Sequence, residues 1–145
     1  MKTLLLHWQV WAVLSACFAA LTAIFGKIGV ENINSDFATL IRTVVILMVA
    51  AAIVCATGAY QSLGTISRRT YLFLGFSGLA TGASWLCYYR ALKVGPASGV
   101  APVDKLSVVL VAFFAVAFIG ERLSPRNWLG VVMVALGAIL AATRA

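Results

Sequence analysis

The sequence predicts an all-α, polytopic membrane protein with five transmembrane helices. Of its 145 residues, 63% are hydrophobic and 10% are charged, and the mean hydropathy is +1.03. A soluble domain carries about 25% charged residues, so this chain could not cover its apolar surface with polar groups in water. The apolar residues fall into five segments, each near the roughly 20 residues that cross a bilayer as a helix. Polar and apolar residues do not alternate within them, which excludes the strands of a membrane β-barrel.

The five predicted spans are joined by short connections, so we expect residues 1–145 to form one domain. Asn34-Ser35-Asp36 offers capping side chains before the second span. Gly95-Pro96 ends the third helix and opens the fourth, and Ser124-Pro125 provides a similar start before the fifth. The approximate bounds of the spans are residues 8–26, 37–57, 71–92, 100–119 and 128–142.

The pair Asp104-Lys105, near the start of the fourth predicted span, is the main indication of function. A charge in the bilayer costs about 2.5–3.5 kcal/mol on insertion scales, and such residues persist where they face a bundle interior or a water-filled path. Pro102 lies just ahead of the pair and cannot donate the hydrogen bond that a helix interior expects, so we expect a kink or hinge there. A charged pair on a proline-distorted membrane helix favours a transport site over a structural strut.

Other polar side chains are predicted at a similar depth from the same side of the membrane. Arg42 lies about five residues into the second span, roughly 7–8 Å deep, and basic residues end the first and third spans. The excess of cations predicts a substrate with a negative or zwitterionic group, because the planar fork of arginine binds two carboxylate oxygens at once. If Asp104 neutralises Lys105, Arg42 remains as the anchor. The candidate substrate-binding residues are Lys27, Arg42, Trp85, Tyr88, Tyr89, Arg90, Asp104 and Lys105.

A structural interpretation of several of these residues stays open. Tryptophan and tyrosine are enriched at both membrane interfaces of polytopic proteins. Lys27 and Arg90 have side chains long enough to reach the lipid headgroups from a helix end. Glu121 stands beside Arg122 at a predicted membrane boundary, where an ion pair or a cap contact is cheap, and we interpret it as structural.

Composition and motifs also exclude several classes of function. The net charge of +7 is interpreted as membrane-flanking charge, because the 11 basic residues form no dense face, and we expect no nucleic-acid partner. Cys17, Cys55 and Cys87 lie inside predicted spans at a spacing that matches no metal motif, so we expect no metal, cofactor or disulfide. Leu14-Ser15-Ala16-Cys17 resembles a lipoprotein cleavage box, but the apolar run continues past it. With no nucleophile–base set and His7 at the edge, we expect no enzyme.

The charges of the connecting loops carry only a small orientation signal. With five spans, five basic residues would lie on one side of the membrane and four on the other. The positive-inside rule then mildly favours a cytoplasmic amino terminus, and it leaves open a chain that inserts in both orientations. The first group is Lys2, Arg68, Arg69, Arg122 and Arg126, and the second is Lys27, Arg90, Lys93 and Arg144.

The chain also carries a series of short motifs around its later helices. They are Tyr89-Arg90-Ala91-Leu92, Gly95-Pro96-Ala97-Ser98, Ala101-Pro102-Val103, Gly120-Glu121-Arg122-Leu123-Ser124, and then Gly130 and Gly137. Together they resemble the EamA-type domain of the drug/metabolite transporter superfamily, and the resemblance covers nearly the whole chain. A basic residue after the first helix, an arginine early in the second and Pro-x-Asp-Lys in the fourth resemble the five-span bacterial and archaeal branch.

The resemblance implies a small secondary transporter that moves a small metabolite or drug-like molecule across the cytoplasmic (inner) membrane. Most relatives carry two five-helix units in inverted orientation, whereas this chain carries one, which implies a dimer. We expect a homodimer, either parallel or antiparallel. The alternative is a non-transporting accessory subunit, or half of a hetero-oligomeric transporter with a distinct partner chain. The family transports many classes of metabolite, so the resemblance defines no single substrate.

Overall fold

The computed structural model describes residues 7–143, and the topology charges predicted at Lys2 and Arg144 lie outside them. Within this range the chain is helical and has no strand, which confirms the predicted all-α class. The helices are α1 (Trp8–Val30), α2 (Ser35–Thr57), α3 (Arg68–Val94), α4 (Ala97–Asp104), α5 (Ser107–Phe114) and α6 (Pro125–Ala142). The π-helical turn Ala115–Ile119 continues α5 directly, and a short 3-10 turn, Leu63–Thr65, precedes α3.

Four helical stretches within the described residues are long and apolar enough to cross a membrane. They are α1, α2, the stretch Ala97–Ile119 that contains α4 and α5, and α6, so the polytopic membrane class is confirmed. The helix at the third predicted span, α3, is 27 residues long. Its interior is richer in glycine, serine, threonine and aromatic residues, which lowers its hydropathy. The crossing of the membrane by α3 stays a prediction.

The helices begin and end where local side-chain chemistry allows it. Asn34 caps α2 by accepting hydrogen bonds from the backbone N–H groups of Asp36 (2.8 Å) and Phe37 (3.3 Å). Ser124 caps α6 by accepting from the N–H of Asn127 at 3.3 Å. Both caps were predicted. Gly120 ends the stretch Ala97–Ile119 with φ of 77°, a left-handed conformation that glycine adopts without strain. The glycine of the Gly-Glu motif is therefore a helix stop.

Several helices extend past the predicted spans. α1 continues through Lys27 to Val30, and α6 begins at Pro125. The predicted bounds followed the apolar residues, whereas the helix itself continues until its backbone hydrogen bonds are capped or replaced. The polar residues at the ends of the spans are therefore held on regular helix, and their positions along the helix axis are well defined.

The fourth predicted span is interrupted directly after Asp104. The N–H of Lys105 donates to the carbonyl of Pro102, and that of Leu106 donates to the carbonyl of Val103, both at 3.0 Å. These hydrogen bonds span three residues and not four, and α-helix resumes at Ser107. Pro102 lacks an N–H and its ring crowds the turn before it, so it distorts α4 directly ahead of this break. The interruption places Asp104 and Lys105 at the junction of α4 and α5.

The described residues divide into two compact units. One is Gly29–Lys93, which contains α2 and most of α3. The other contains most of α1 together with α4, α5 and α6, and within it α6 packs against α4 and α5. The buried apolar positions are mostly alanines, while large apolar side chains along every helix are exposed. In a bilayer this exposed apolar surface is covered by lipid tails or by other helices.

Candidate functional site

Arg42 on α2 lies against two aromatic rings of α3, within the unit Gly29–Lys93. Its Cζ atom is 4.0 Å from the centroid of the Trp85 ring and 5.2 Å from that of Tyr89. Trp85 and Tyr89 are four residues apart and therefore share one face of α3. Tyr89 is only 5% exposed, and the Tyr88 ring lies edge-on to it with 6.3 Å between centroids. The structure thus brings together four of the predicted site residues.

The guanidinium group of Arg42 is not fully satisfied by the protein. Its Nη1 atom is buried and has no hydrogen-bond partner among residues 7–143. The contact with the aromatic rings is a cation–π interaction. Such a contact does not replace the hydrogen bonds that the five N–H donors of a guanidinium can form with oxygen acceptors. A buried donor without a hydrogen-bond partner costs about 1–3 kcal/mol. Such donors are rare in folded proteins, and a ligand or an ion that binds them is one common reason for their presence.

Arg90, near the end of α3, forms a bidentate salt bridge with Asp36 in the first turn of α2. Its Nε donates to Oδ1 at 3.0 Å and its Nη2 donates to Oδ2 at 2.8 Å. The side chains of Arg90 and Asp36 are 62% and 46% exposed, so water and salt screen the pair. Arg90 was predicted as a binding cation, and here its guanidinium is occupied by a carboxylate of the same chain.

From the sequence, Asp36 is interpreted only as part of a helix cap, and its salt bridge with Arg90 is not predicted. The alternating direction of the spans is the one signal that could have indicated it. The start of the second helix and the end of the third face the same side of a membrane when the spans alternate in direction. Asp36 and Arg90 are therefore expected at a similar depth on the same side of the membrane, which would allow them to pair. Whether the two helices are adjacent is a separate question that only the structure answers.

Two lysines donate hydrogen bonds to backbone carbonyls near helix ends. Within one unit, Lys27 in the last turn of α1 donates from Nζ to the carbonyl oxygen of Gly95 at 2.9 Å. Within the other unit, Lys93 donates to the carbonyl oxygen of Ile33. Cations commonly satisfy carbonyl groups where a helix leaves them unpaired. Lys27 is thus held by the chain itself, and a role for it in substrate binding stays a prediction.

Asp104 and Lys105 form a salt bridge with each other at the junction of α4 and α5. The distance from Lys105 Nζ to Asp104 Oδ2 is 3.2 Å, and the two side chains are 54% and 36% exposed respectively. The pair is therefore electrically neutral in this conformation. This is the arrangement in which Lys105 is neutralised and Arg42 remains as the cation that could hold an anion. The predicted cavity around the pair and the hinge role of Pro102 stay predictions.

Comparison with known proteins places the chain among membrane transporters. It is 67% identical over 135 residues to a Sinorhizobium sp. protein described as an uncharacterized transporter in the cobO 3' region, and the match covers 93% of this chain and 96% of that protein. It is 31% identical over 88 residues to the probable 4-amino-4-deoxy-L-arabinose-phosphoundecaprenol flippase subunit ArnE of Salmonella paratyphi B, covering 59% of this chain and 79% of ArnE.

A shorter similarity extends to a longer protein. The chain is 32% identical over 71 residues to the uncharacterized transporter YwfM of Bacillus subtilis, covering 49% of this chain and 23% of YwfM. No solved structure matches the chain. The model of the EamA-like transporter family matches residues 6–143, which is nearly the full length. The resemblance predicted from the motifs is therefore confirmed, and this multi-pass membrane protein belongs to the EamA-like transporter family.

Proposed function

We propose that this protein is a small secondary transporter that moves a small metabolite or drug-like molecule across the cytoplasmic membrane. The observation that carries the proposal is the charged pair Asp104-Lys105 at an interruption of a membrane-crossing stretch of an EamA-family chain. Irregular backbone at membrane depth is tolerated where it is enclosed by protein or lines a water-filled cavity. Transporters commonly build their substrate and ion sites from such interrupted helices.

The proposed binding residues form two groups, one in each compact unit. The first is Arg42 with Trp85, Tyr88 and Tyr89, supported by the cation–π contacts of the guanidinium and by its unsatisfied nitrogen. Arg90 belongs to this group only if the substrate displaces Asp36 from it. The second group is Asp104 with Lys105 and Lys27, supported by the helix interruption. Pro102 is proposed as the hinge that lets α4 and α5 move relative to each other.

We also propose that the working unit is a homodimer. Exposed apolar side chains run along every helix of the described chain and require a cover. Gly78 and Gly82 on α3 leave room as well, because a Cβ atom added at either position meets nothing within 4 Å. Small residues at this spacing let membrane helices approach closely. A second copy inserted in the opposite orientation would complete an inverted pair of five-helix units.

A distinct partner chain is the second candidate, and one comparison favours it. ArnE is described as a flippase subunit, so a similar short chain acts as part of a larger assembly. In that case this protein would be half of a hetero-oligomeric transporter, or an accessory subunit without transport of its own. The charges of the loops do not decide between a homodimer and a hetero-oligomer. With five basic residues on one side and four on the other, the chain could insert in one orientation or in both.

Reconstitution of the purified chain alone tests the proposal. Liposomes containing the protein are incubated with a mixture of labelled metabolites, and the retained compounds are identified by mass spectrometry. Uptake that is lost in Asp104→Asn and Lys105→Gln, and kept in the exposed control Arg126→Gln, supports a homo-oligomeric transporter. Uptake only after a second five-span chain from the same genome is added supports the hetero-oligomer. No uptake in either preparation contradicts transport.

A reporter fused to the carboxyl terminus tests the orientation of the copies. An antiparallel homodimer requires reporter signal from both sides of the membrane. Adding or removing one lysine in a connecting loop should then shift the ratio of the two signals, because the charge difference is small. Signal from one side that does not respond to such changes contradicts dual insertion and leaves a parallel dimer or a distinct partner chain.

A further inference from the structure

Arg42 has no carboxylate partner among residues 7–143, whereas two other candidate cations have one. Salt bridges pair Arg90 with Asp36 and Lys105 with Asp104. Arg42 follows Ser35 by seven residues on α2, which places it about 10 Å along the helix axis. A charge at such a depth is expensive and is retained mainly at functional positions. Arg42 is therefore a half-buried cation whose charge no carboxylate of the described residues compensates.

The surroundings of Arg42 determine which atoms can still bind a ligand. The centroids of the Trp85 and Tyr89 rings lie 4.0 and 5.2 Å from the guanidinium carbon, so aromatic side chains form part of the surroundings of the group. The Nη1 donor is buried and has no hydrogen-bond partner among the described residues. Two parallel N–H groups on one edge match the spacing of two oxygens of a carboxylate or phosphate. Aromatic walls also exclude water, which strengthens a charged hydrogen bond.

We infer that Arg42, Trp85 and Tyr89 form a subsite for an oxyanion, either a carboxylate or a phosphate. A neutral ligand would satisfy a donor and leave the charge uncompensated, and a cationic ligand would be repelled. A purely structural role explains the site less well, because apolar residues fill a buried position at least as favourably as an unpaired charge does. The inference rests on the proposed transport function for its physiological meaning, since it names the substrate group that this site would hold.

The same chemistry can come from two sources. A soluble substrate can bring a carboxylate or phosphate, and a lipid headgroup carries a phosphate that is always present in the membrane. In both cases the edge of Arg42 binds the oxygens. The test therefore has to separate a soluble anion from a lipid headgroup, and it has to measure binding independently of transport.

Trp85 itself provides the signal for the test. The chain has four tryptophans, and replacing Trp8, Trp11 and Trp128 by phenylalanine leaves Trp85 as the only one. This full-length variant is placed in micelles of a maltoside detergent, which carries neither phosphate nor carboxylate, and is titrated with inorganic phosphate, with benzoate and with benzamide, the neutral analogue of benzoate. We expect a saturable change in Trp85 fluorescence with phosphate or benzoate and none with benzamide. An equal response to benzoate and benzamide overturns the inference without any change at Arg42.

Three variants in the Trp85-only background assign the binding to Arg42. Arg42→Gln should weaken anion binding by at least about tenfold, because a charged hydrogen bond is lost. Arg42→Lys keeps the charge and loses the planar fork, so an intermediate loss is expected. Arg126→Gln, a matched change at an exposed arginine of α6, should leave binding unchanged. Unchanged binding in Arg42→Gln contradicts the subsite, and unaltered elution on size exclusion shows that each variant is folded.

Nanodiscs containing anionic phosphatidylglycerol separate the two sources. If the lipid alone produces the Arg42-dependent fluorescence change and soluble anions do not compete with it, the bound oxyanion is a headgroup phosphate. If phosphate or benzoate competes, the subsite accepts a soluble anion. No Arg42-dependent response to either source overturns the inference. Anion binding without uptake in liposomes would contradict the proposed transport and support the subsite. Uptake that does not depend on Arg42 would support transport and contradict the use of the subsite by the substrate.

Discussion

Arg90 and Asp36 are joined by two nearly parallel hydrogen bonds of 3.0 and 2.8 Å, which connect the end of α3 to the start of α2. Lys93, one turn later on α3, donates to the carbonyl of Ile33 in the connection that precedes α2. Both contacts connect the carboxyl-terminal end of α3 to the beginning of α2 within the unit Gly29–Lys93. Within the same unit, Arg42 and the aromatic residues lie further along the helices.

The Arg90–Asp36 salt bridge should contribute modestly to the stability of the fold. We expect this contribution to require both side chains, so that removing either one loses it. Arg90→Ala and Asp36→Ala should each lower the thermal unfolding midpoint slightly, because both side chains are partly exposed and solvent screens the pair. The double variant should be no less stable than either single variant, since the interaction is lost only once. Differential scanning fluorimetry in detergent measures the effect, and high salt should reduce it. Losses that simply add would show that the two residues act separately.

Asp104 and Lys105 should be reached by water from a cavity. In a background with Cys17, Cys55 and Cys87 replaced by alanine, cysteine at position 104 or 105 should react with a membrane-impermeant thiol reagent. The matched control is Phe118→Cys, because Phe118 is 82% exposed on an apolar surface and is expected to face lipid. Labelling is measured by a gel shift. Full protection of both positions, while a cysteine at Gly64 in the α2–α3 connection reacts, would contradict an aqueous site.

Replacing Pro102 by alanine should restore the hydrogen bond from the N–H of residue 102 to the carbonyl of Ser98 in α4, which proline cannot donate. The helix should then become more regular and the protein more stable, because proline in a helix interior costs about 3 kcal/mol. If the junction is a hinge, transport in liposomes should fall while the unfolding midpoint rises. Pro125→Ala is the control, since proline in a first turn is tolerated and its loss should change neither quantity much. A faster Pro102→Ala transporter would contradict the hinge.

The glycine face of α3 should be needed for assembly and not for folding. A Cβ atom added at Gly82 meets nothing within 4 Å, so we expect the single chain to insert and fold with Gly82→Ile. If a second copy packs there, the dimer fraction measured by chemical cross-linking should fall sharply. Ala80→Ile is the matched control, because Ala80 projects about 200° away from Gly78 on the same helix. Equal dimer fractions in the two variants would place the interface elsewhere.

Local sequence alone determined the class of this protein and the ends of several helices. The helical class follows from segments of about 20 apolar residues, since a bilayer accepts few other structures. The caps at Asn34 and Ser124 form from side chains and N–H groups two or three residues apart, so they depend little on the rest of the fold. The distortion expected at Pro102 is also local, and the break after Asp104 lies within one turn of it.

Only the tertiary structure decided that Arg90 is paired with a carboxylate and that Arg42, among the described residues, is not. Asp36 meets Arg90 across 54 residues of sequence, and Arg42 meets Trp85 and Tyr89 on another helix. Such contacts depend on which helices are neighbours and on how each is rotated about its axis. Hydropathy carries little of that information when a helix is apolar all round, because lipid and protein then offer its faces similar surroundings. The uncompensated charge of Arg42 is for this reason a property of the folded chain.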